Sequence, residues 1–294
     1  MEIGLSQWSF HRSILGRSRE DYDHYLQELH SDNPDTILRG DMDSISFLNT
    51  VNGLGVTTVD LVNILFFSRA TDLAWLKEYR NRAEELGIKF GCLMCDELGN
   101  LGASLASERN ASLEKHLIWL QVASELGCSM LRVNAYGDGT YLNQMKQCAQ
   151  TISALADCAI NYGIKIVIEN HGFSSNNGAW LAMLIEEVGR ENVGVYLDFD
   201  NFFMGGWHHD PKRHYDRTQG VIDLAPYTFG VSAKSYNFDE NENGNELTVD
   251  FKKYIEILRE HDFDGVVSAE YEGDVLSEFE GTKKTINLIE RTIS

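Results

Sequence analysis

Three carboxylates, Glu169, Asp198 and Glu270, each end a run of apolar residues. The runs read IKIVIENHG at 164–172, VGVYLD at 193–198 and GVVSAE at 265–270. Runs rich in isoleucine and valine are typical of strands that are buried on both faces. A carboxylate at the end of such a strand is costly unless a partner neutralises it. We therefore expect the three acids to converge on one point, and a bound divalent cation is the simplest reason for that convergence.

The carboxylate oxygens of these acids could bind a metal ion or transfer protons. Sites rich in oxygen favour hard or borderline ions such as Mn²⁺ or Mg²⁺. Two carboxylates that face a substrate from opposite sides can also act as a proton acceptor and a proton donor. The alternative stays open that each acid caps the next helix or pairs with a local base.

Other polar and aromatic residues follow the same apolar runs and are candidates for binding a substrate. Lys234 lies in an otherwise apolar strand end, where its ammonium needs a substrate or a carboxylate as partner. The loop after the sixth strand contributes His208, His209 and His214, which either complete a metal site or are ordinary surface histidines. We predict substrate contacts from His171, Lys234, Arg132, Asn134, Trp207 and His209. For Arg132 and Asn134 a structural role is the open alternative.

The predicted strand ends recur at nearly constant distance along the chain, at positions 60, 96, 134, 169, 198, 234 and 270. Steps of roughly 35 residues accommodate a strand, a helix and two loops. Eight alternating β and α units favour a closed parallel barrel, and no GxGxxG motif follows the first strand. We predict an α/β fold, a (β/α)8 TIM barrel that forms a single domain over residues 1–294. In such barrels the carboxyl ends of the strands share the face that holds the active site.

Some helix boundaries are predicted from residues that typically cap or end a helix rather than from apolar periodicity. A helix is predicted from Ser44 to Leu54, and Thr71 is expected to cap a helix that runs to Leu86. The segment 20–43 is expected to be a polar, irregular excursion. A polar loop at 201–216 is expected to precede a strand at 229–235, with no helix assigned between them.

The composition excludes several classes of partner. The formal net charge is −20, with 45 acidic against 25 basic residues, and the chain has no cluster of Lys and Arg. A protein that binds the phosphate backbone of nucleic acids normally carries a basic face, so we expect no nucleic-acid partner. No apolar run approaches the roughly 20 residues that span a bilayer, so we expect no membrane association. The amino terminus lacks the pattern of a signal peptide, and we expect a cytoplasmic protein.

Motifs spread over nearly the whole chain resemble those of one family. They are LSQWSFHR at 5–12, DELGNLG at 96–102, LRVNAYGDG at 131–139, VIENHG at 167–172, LDFDNF at 197–202, VSAKSYNF at 231–238 and AEYEG at 269–273. With them the chain resembles the sugar phosphate isomerase/epimerase proteins of the xylose isomerase-like TIM-barrel superfamily. The resemblance implies one divalent metal ion (Mn, Mg, Co or Zn), held by Glu, Asp, His and Glu at the ends of strands five to eight.

Three of the four implied metal ligands match this chain, as Glu169, Asp198 and Glu270, and the resemblance makes Glu169 and Glu270 the proton-transferring pair. The family pattern has a histidine two residues before the strand-seven lysine, where this chain has Ser232. The fourth ligand is therefore left open between water, Ser232 and a loop histidine.

The resemblance implies a metal-dependent isomerase or epimerase whose partner is a small sugar, keto-sugar or polyol. The alternatives are a keto-sugar lyase or hydratase of the same superfamily and a non-catalytic sugar-binding barrel. An abasic-site endonuclease would need further histidines at strands two and three, where Asp60, Asn63, Asp96 and Glu97 stand instead. The sequence leaves a homo-oligomer open.

Overall fold

Eight parallel strands close into a barrel, because the first strand pairs with both the second and the last. The computed structural model describes residues 1–205, 211–240 and 244–294. The barrel strands are β1 (Glu2–Ser6), β2 (Thr58–Val62), β3 (Lys89–Met94), β4 (Met130–Val133), β5 (Lys165–Glu169), β6 (Val193–Asp198), β7 (Thr228–Ser235) and β8 (Val266–Tyr271). The predicted (β/α)8 TIM barrel is thus confirmed.

Helices follow the strands and pack around the barrel. They are α1 (His11–Leu15), α2 (Tyr22–Leu29), α3 (Ser44–Leu54), α4 (Leu73–Glu85), α5 (Ala106–Leu126), α6 (Tyr141–Ala159), α7 (Gly178–Val188), α8 (Arg217–Leu224), α9 (Phe251–Glu260) and α10 (Glu278–Ile293). Short 3-10 helices cover Gln7–Phe10, Ser18–Glu20, Pro34–Ile37, Asn63–Thr71, Ile160–Tyr162, Phe173–Asn176 and Ala225–Tyr227. Within the described ranges, no helix is long and apolar enough to cross a membrane.

Capping residues account for where α3 and α4 begin and end. The predicted bounds of α3 are confirmed: the Asp43 carboxylate accepts a hydrogen bond from the Ser46 amide, and Gly55 ends the helix in the left-handed conformation. The predicted cap of α4 was wrong by one residue. Asp72, not Thr71, accepts from the Trp75 amide, because Thr71 is the last residue of the preceding 3-10 helix.

Two segments predicted without helices contain them. The excursion at 20–43 includes α2, which Asp21 caps and which buries Tyr25 and Leu29 at a spacing of four residues. Between β6 and β7 the structure adds α8, capped by Asp216. That helix is short and largely polar, so its burial pattern is weak in the sequence.

The loop after β6 begins with a small structured element at the carboxyl end of the barrel. Phe203–Met204 pairs in antiparallel fashion with Arg213–His214. The described parts of the loop on either side of residues 206–210 therefore lie side by side.

Candidate functional site

Four ionisable side chains meet at the carboxyl-terminal end of the barrel. Glu169 ends β5, Asp198 ends β6, and Lys234 of β7 pairs in register with Glu270 of β8. All four are at most 4% exposed. The three acids predicted to converge do lie in one buried neighbourhood, and a lysine lies among them.

The Lys234 ammonium is shared between three carboxylates. Its Nζ lies 3.1 Å from Asp198 Oδ2, 3.4 Å from Glu270 Oε1 and 3.5 Å from Glu272 Oε1. It also donates a hydrogen bond of 3.1 Å to Asn201 Oδ1. The predicted partner of this lysine is thus a set of carboxylates from β6, β8 and the residue just beyond β8.

Asn201 connects Lys234 to Glu169. While its Oδ1 accepts from Lys234, its Nδ2 donates to Glu169 Oε1 at 3.2 Å. The backbone carbonyls of Asp198 and Asn201 accept from Asn170 Nδ2, which fixes the start of the loop after β6. The Asp198 carboxylate is further oriented by the amides of Asp200 and Asn201, both at 2.7 Å.

Arg132 neutralises Glu169 from the other side. Its Nε lies 2.8 Å from Glu169 Oε2, and its terminal nitrogens contact Asp96 Oδ1 at 2.6 Å and Oδ2 at 3.4 Å. Asn134 accepts from Arg132 at 3.1 Å and donates to Asp96 at 2.8 Å. The two predicted substrate-binding residues, Arg132 of β4 and Asn134 just beyond it, therefore form hydrogen bonds with Asp96, and Arg132 also forms an ion pair with Glu169.

His171 lies at the rim of this neighbourhood, where it is half-buried. The Tyr136 hydroxyl donates its single proton to the His171 carbonyl at 2.6 Å, so His171 Nδ1 donates to that hydroxyl at 2.8 Å. Burial, and then the Arg132 charge, lower the pKa of His171 to about 3. The imidazole is therefore neutral at physiological pH and has an unprotonated Nε2.

Burial and repulsion shift the pKa values of the acids themselves. Burial raises the pKa of Glu169 well above its ordinary value; Arg132 opposes that shift, and Asp198 and Glu270 add to it. Burial likewise raises the pKa of Asp198 to about 7, against the effect of Lys234. Burial would lower the pKa of Lys234, but Asp198, Glu272 and Glu270 together raise it well above its usual range. Glu169 thus binds its proton more tightly than an ordinary glutamate does.

Three residues of the site, Ser6, Glu272 and Asn201, were not predicted from the sequence. Ser6 of β1 donates a 2.7 Å hydrogen bond to Glu270 Oε2, and Glu272 Oε1 accepts one of the same length from Trp8 Nε1. Glu272 and Asn201 lie two and three residues after acids that were predicted, so the signal was their position just beyond a strand end. Ser6 carries no comparable signal.

The remaining predicted residues lie in the loop after β6. Trp207, His208 and His209 lie outside the described residues, and their roles stay predictions. His214 is exposed and its ring packs against Phe203, with 4.5 Å between ring centroids.

The arrangement does not fit the expected metal ion. Metal–oxygen bonds are about 2.0–2.6 Å long, but the space between Asp198 and Glu270 is taken by the Lys234 ammonium. Glu169 faces Arg132, and Ser232, whose hydroxyl is buried, stands where an imidazole is expected. Throughout 1–205, 211–240 and 244–294, no three His, Cys, Asp or Glu side chains form a group that could hold a metal.

Similar solved structures share the barrel. They include a D-psicose 3-epimerase in the presence of D-fructose, at 14% identity and a TM-score of 0.68 over 100% of this chain and 99% of that one. An L-ribulose 3-epimerase has 13% identity and a TM-score of 0.69 over 100% and 95%. The IolI protein, whose structure holds a zinc atom, has 14% identity and a TM-score of 0.69 over 100% and 96%. At these identities the likeness shows the fold alone.

Comparisons of the sequence itself point to one family. No curated protein matches the sequence. The model of the family described as xylose isomerase-like TIM barrel matches residues 48–292, which is most of the chain. The resemblance inferred from the motifs is thereby confirmed, and the chain belongs to the xylose isomerase-like TIM barrel family.

Proposed function

We propose that the protein is an isomerase or epimerase that acts on a sugar, a keto-sugar or a related polyol. Glu169 and Glu270 are its proton-transferring pair. The observation that carries this proposal is the pair of buried glutamates at the ends of β5 and β8, with the Lys234 ammonium and Asn201 between them. Two strands, β6 and β7, separate them in the barrel, so they stand at different points around its carboxyl-terminal end.

The proton chemistry needs no group beyond these side chains. One glutamate removes the proton from the carbon next to the substrate carbonyl, and an enediolate forms. Return of a proton to the opposite face of that carbon gives an epimer. Delivery of the proton to the neighbouring carbon gives an isomer, with the substrate's own hydroxyl proton moving to the former carbonyl oxygen. The raised pKa of Glu169 suits the member of the pair that takes up and returns a proton.

The surrounding residues divide into substrate contacts and residues that position the glutamates. We assign Lys234 and the half-buried His171 to the substrate, as predicted from the sequence. Arg132 and Asn134 form hydrogen bonds with Asp96, and Arg132 also forms an ion pair with Glu169, so we assign them to positioning Glu169. Substrate contacts by Trp207 and His209 stay sequence-based predictions.

The similar structures support the substrate class. The D-psicose and L-ribulose 3-epimerases are named for reactions on keto-sugars. Dependence on a divalent metal, which the zinc atom of the IolI structure would favour, stays a sequence-based prediction. The proposed proton transfer is not routed through such an ion, because the residues present do not fit it.

The test is deuterium exchange. Wild-type protein is incubated in D₂O with a panel of ketohexoses, ketopentoses and their phosphates, and products are followed by NMR and mass spectrometry. Any sugar that turns over should gain deuterium at the reacting carbon. Glu169→Gln and Glu270→Gln should each lower the rate by about 10²-fold or more, since each removes a general base.

Glu278→Gln is the matched control. Glu278 is also a buried glutamate, but it accepts its hydrogen bonds from Arg12 and Ser13 rather than from the residues around Lys234. The control variant should keep the wild-type rate. If the product forms without deuterium, and no shielded return of the substrate proton can be shown, proton transfer is refuted. A hydride shift would then be the better mechanism.

A further inference from the structure

We propose that the Lys234 ammonium takes the place of the divalent metal ion in this barrel, so that the site binds its substrate without a metal. The inference starts from where the charge lies. Lys234 Nζ is within 3.1–3.5 Å of oxygens from Asp198, Glu270, Glu272 and Asn201. These oxygens come from both neighbouring strands and surround the ammonium as ligands would surround an ion.

Ser232 supplies the second observation. It precedes Lys234 by two residues on β7, it is fully buried, and it pairs in register with Asp198 on one side and Ser268 on the other. A serine is shorter than a histidine by the whole imidazole ring. The space that an imidazole ligand would fill is thus left to the flexible chain of Lys234, the lysine that the family pattern also has, and the site lacks one metal ligand.

The third acid has its own cation. Glu169 Oε2 lies 2.8 Å from Arg132 Nε, and Arg132 is held there by Asp96. Each of the three predicted metal ligands therefore has a basic partner within ion-pair distance. A divalent ion entering between Asp198 and Glu270 would meet the charge of Lys234 at close range, and that repulsion opposes binding.

The ammonium can also do the chemical work of an ion at this position. Its three N–H donors can bind the carbonyl oxygen of a substrate and stabilise the negative charge that develops there when the neighbouring carbon loses its proton. The role of Lys234 in catalysis rests on the proposed function. Its replacement of the metal ion does not rest on that function, because the replacement concerns only how the carboxylates are neutralised.

The test measures metal binding without substrate. Protein treated with EDTA and desalted is titrated with Mn²⁺, Mg²⁺, Co²⁺ and Zn²⁺, its melting temperature is recorded, and bound metal is measured by mass spectrometry. Wild-type protein should bind no stoichiometric metal and show no rise in melting temperature. Lys234→Met should gain both, and Lys234→Met with Ser232→His should bind more tightly still. Stoichiometric binding by the wild type, lost in Asp198→Ala, would overturn the proposal.

The controls separate this proposal from the proposed function. Lys89→Met removes another strand lysine paired with a glutamate, Glu2 at 3.0 Å, and should change no metal response. If Lys234→Met does not fold, the metal titrations of Lys234→Gln and of the wild type still test whether Lys234 takes the place of the metal. A folded Lys234 variant that gains no metal response also contradicts the proposal, since the carboxylates would then form no cation site. The rate of sugar turnover should be the same with and without EDTA. If the protein turns over no sugar at all, the proposed function fails, but the metal-binding measurements still test this proposal.

Discussion

Replacement of Arg132 by methionine should be among the most destabilising changes at the barrel mouth. Arg132 is 3% exposed and its guanidinium is paired with both Asp96 and Glu169. Methionine keeps much of the aliphatic volume but leaves two carboxylates without their cation. Removing one partner of a buried ion pair costs about 3–5 kcal/mol, and we expect a loss of that size in the free energy of unfolding at pH 7.5.

The pH dependence gives the prediction its sign. Burial would raise the pKa of Asp96, but Arg132 and then His171 hold it well below its usual value of 3.8. The stability that Asp96 contributes in the wild type is therefore present above that value and is lost as the pH falls below it. In Arg132→Met the buried carboxylates lose their cation and their pKa values rise. The cost of the substitution should shrink between pH 7.5 and pH 5, as these groups take up protons.

The assay is urea unfolding followed by tryptophan fluorescence at both pH values, with Arg190→Met as the matched control. Arg190 also makes two contacts with one aspartate, at 2.7 Å and 3.2 Å to Asp157, but its side chain is 41% exposed. An exposed pair of this kind contributes at most about 1 kcal/mol. Equal costs for the two variants, or a cost of Arg132→Met that grows at pH 5, would refute the reasoning.

Two further predictions concern stability away from the site. Gly220→Ala should lower the free energy of unfolding by about 1–3 kcal/mol, because a Cβ there would lie 2.1 Å from the Phe202 ring. Gly53→Ala in α3 should raise it by about 0.5–1 kcal/mol, since nothing lies within 4 Å of a Cβ at that position. The urea midpoints of the two variants test both expectations. Burial lowers the pKa of His116 to about 4, so the unfolded chain takes up its proton first and stability should fall as the pH drops from 6.5 to about 4. His116→Gln should flatten that profile by up to about 1.4 kcal/mol per pH unit, and an unchanged slope would contradict the assignment.

The sequence predicts the barrel and its acids because both depend on local patterns. Apolar strands that end at Glu169, Asp198 and Glu270 identify the carboxyl face, and glycines such as Gly55 mark where helices stop. The short helix α8 has no such pattern. It is polar, and it is held by close contact between Gly220 and the Phe202 ring, which only the tertiary structure brings about.

Pairing within the site could not be predicted, because it depends on strand register and side-chain reach. The sequence leaves Arg132 open between a substrate contact and a structural role. It does not predict that β4 places Arg132 between Asp96 and Glu169, each more than 30 residues away along the chain. Lys234 needed a partner, and the sequence offered several carboxylates at strand ends. Lys234 contacts Glu270 because β7 and β8 pair these residues in register, and it contacts Asp198 because the end of β6 lies beside it.

The seam of the barrel, where β1 meets β8, runs through the site, and this has a consequence for the order of folding. Ser6 donates to Glu270 and Trp8 donates to Glu272, so two bonds of the site join the first strand region to the last. During synthesis Lys234 emerges before the two glutamates that it contacts. The lysine therefore lacks these partners until β8 is made and the barrel closes. Any signal that depends on the completed Lys234 group, such as a bound sugar, would therefore report ring closure rather than the earlier formation of strands and helices.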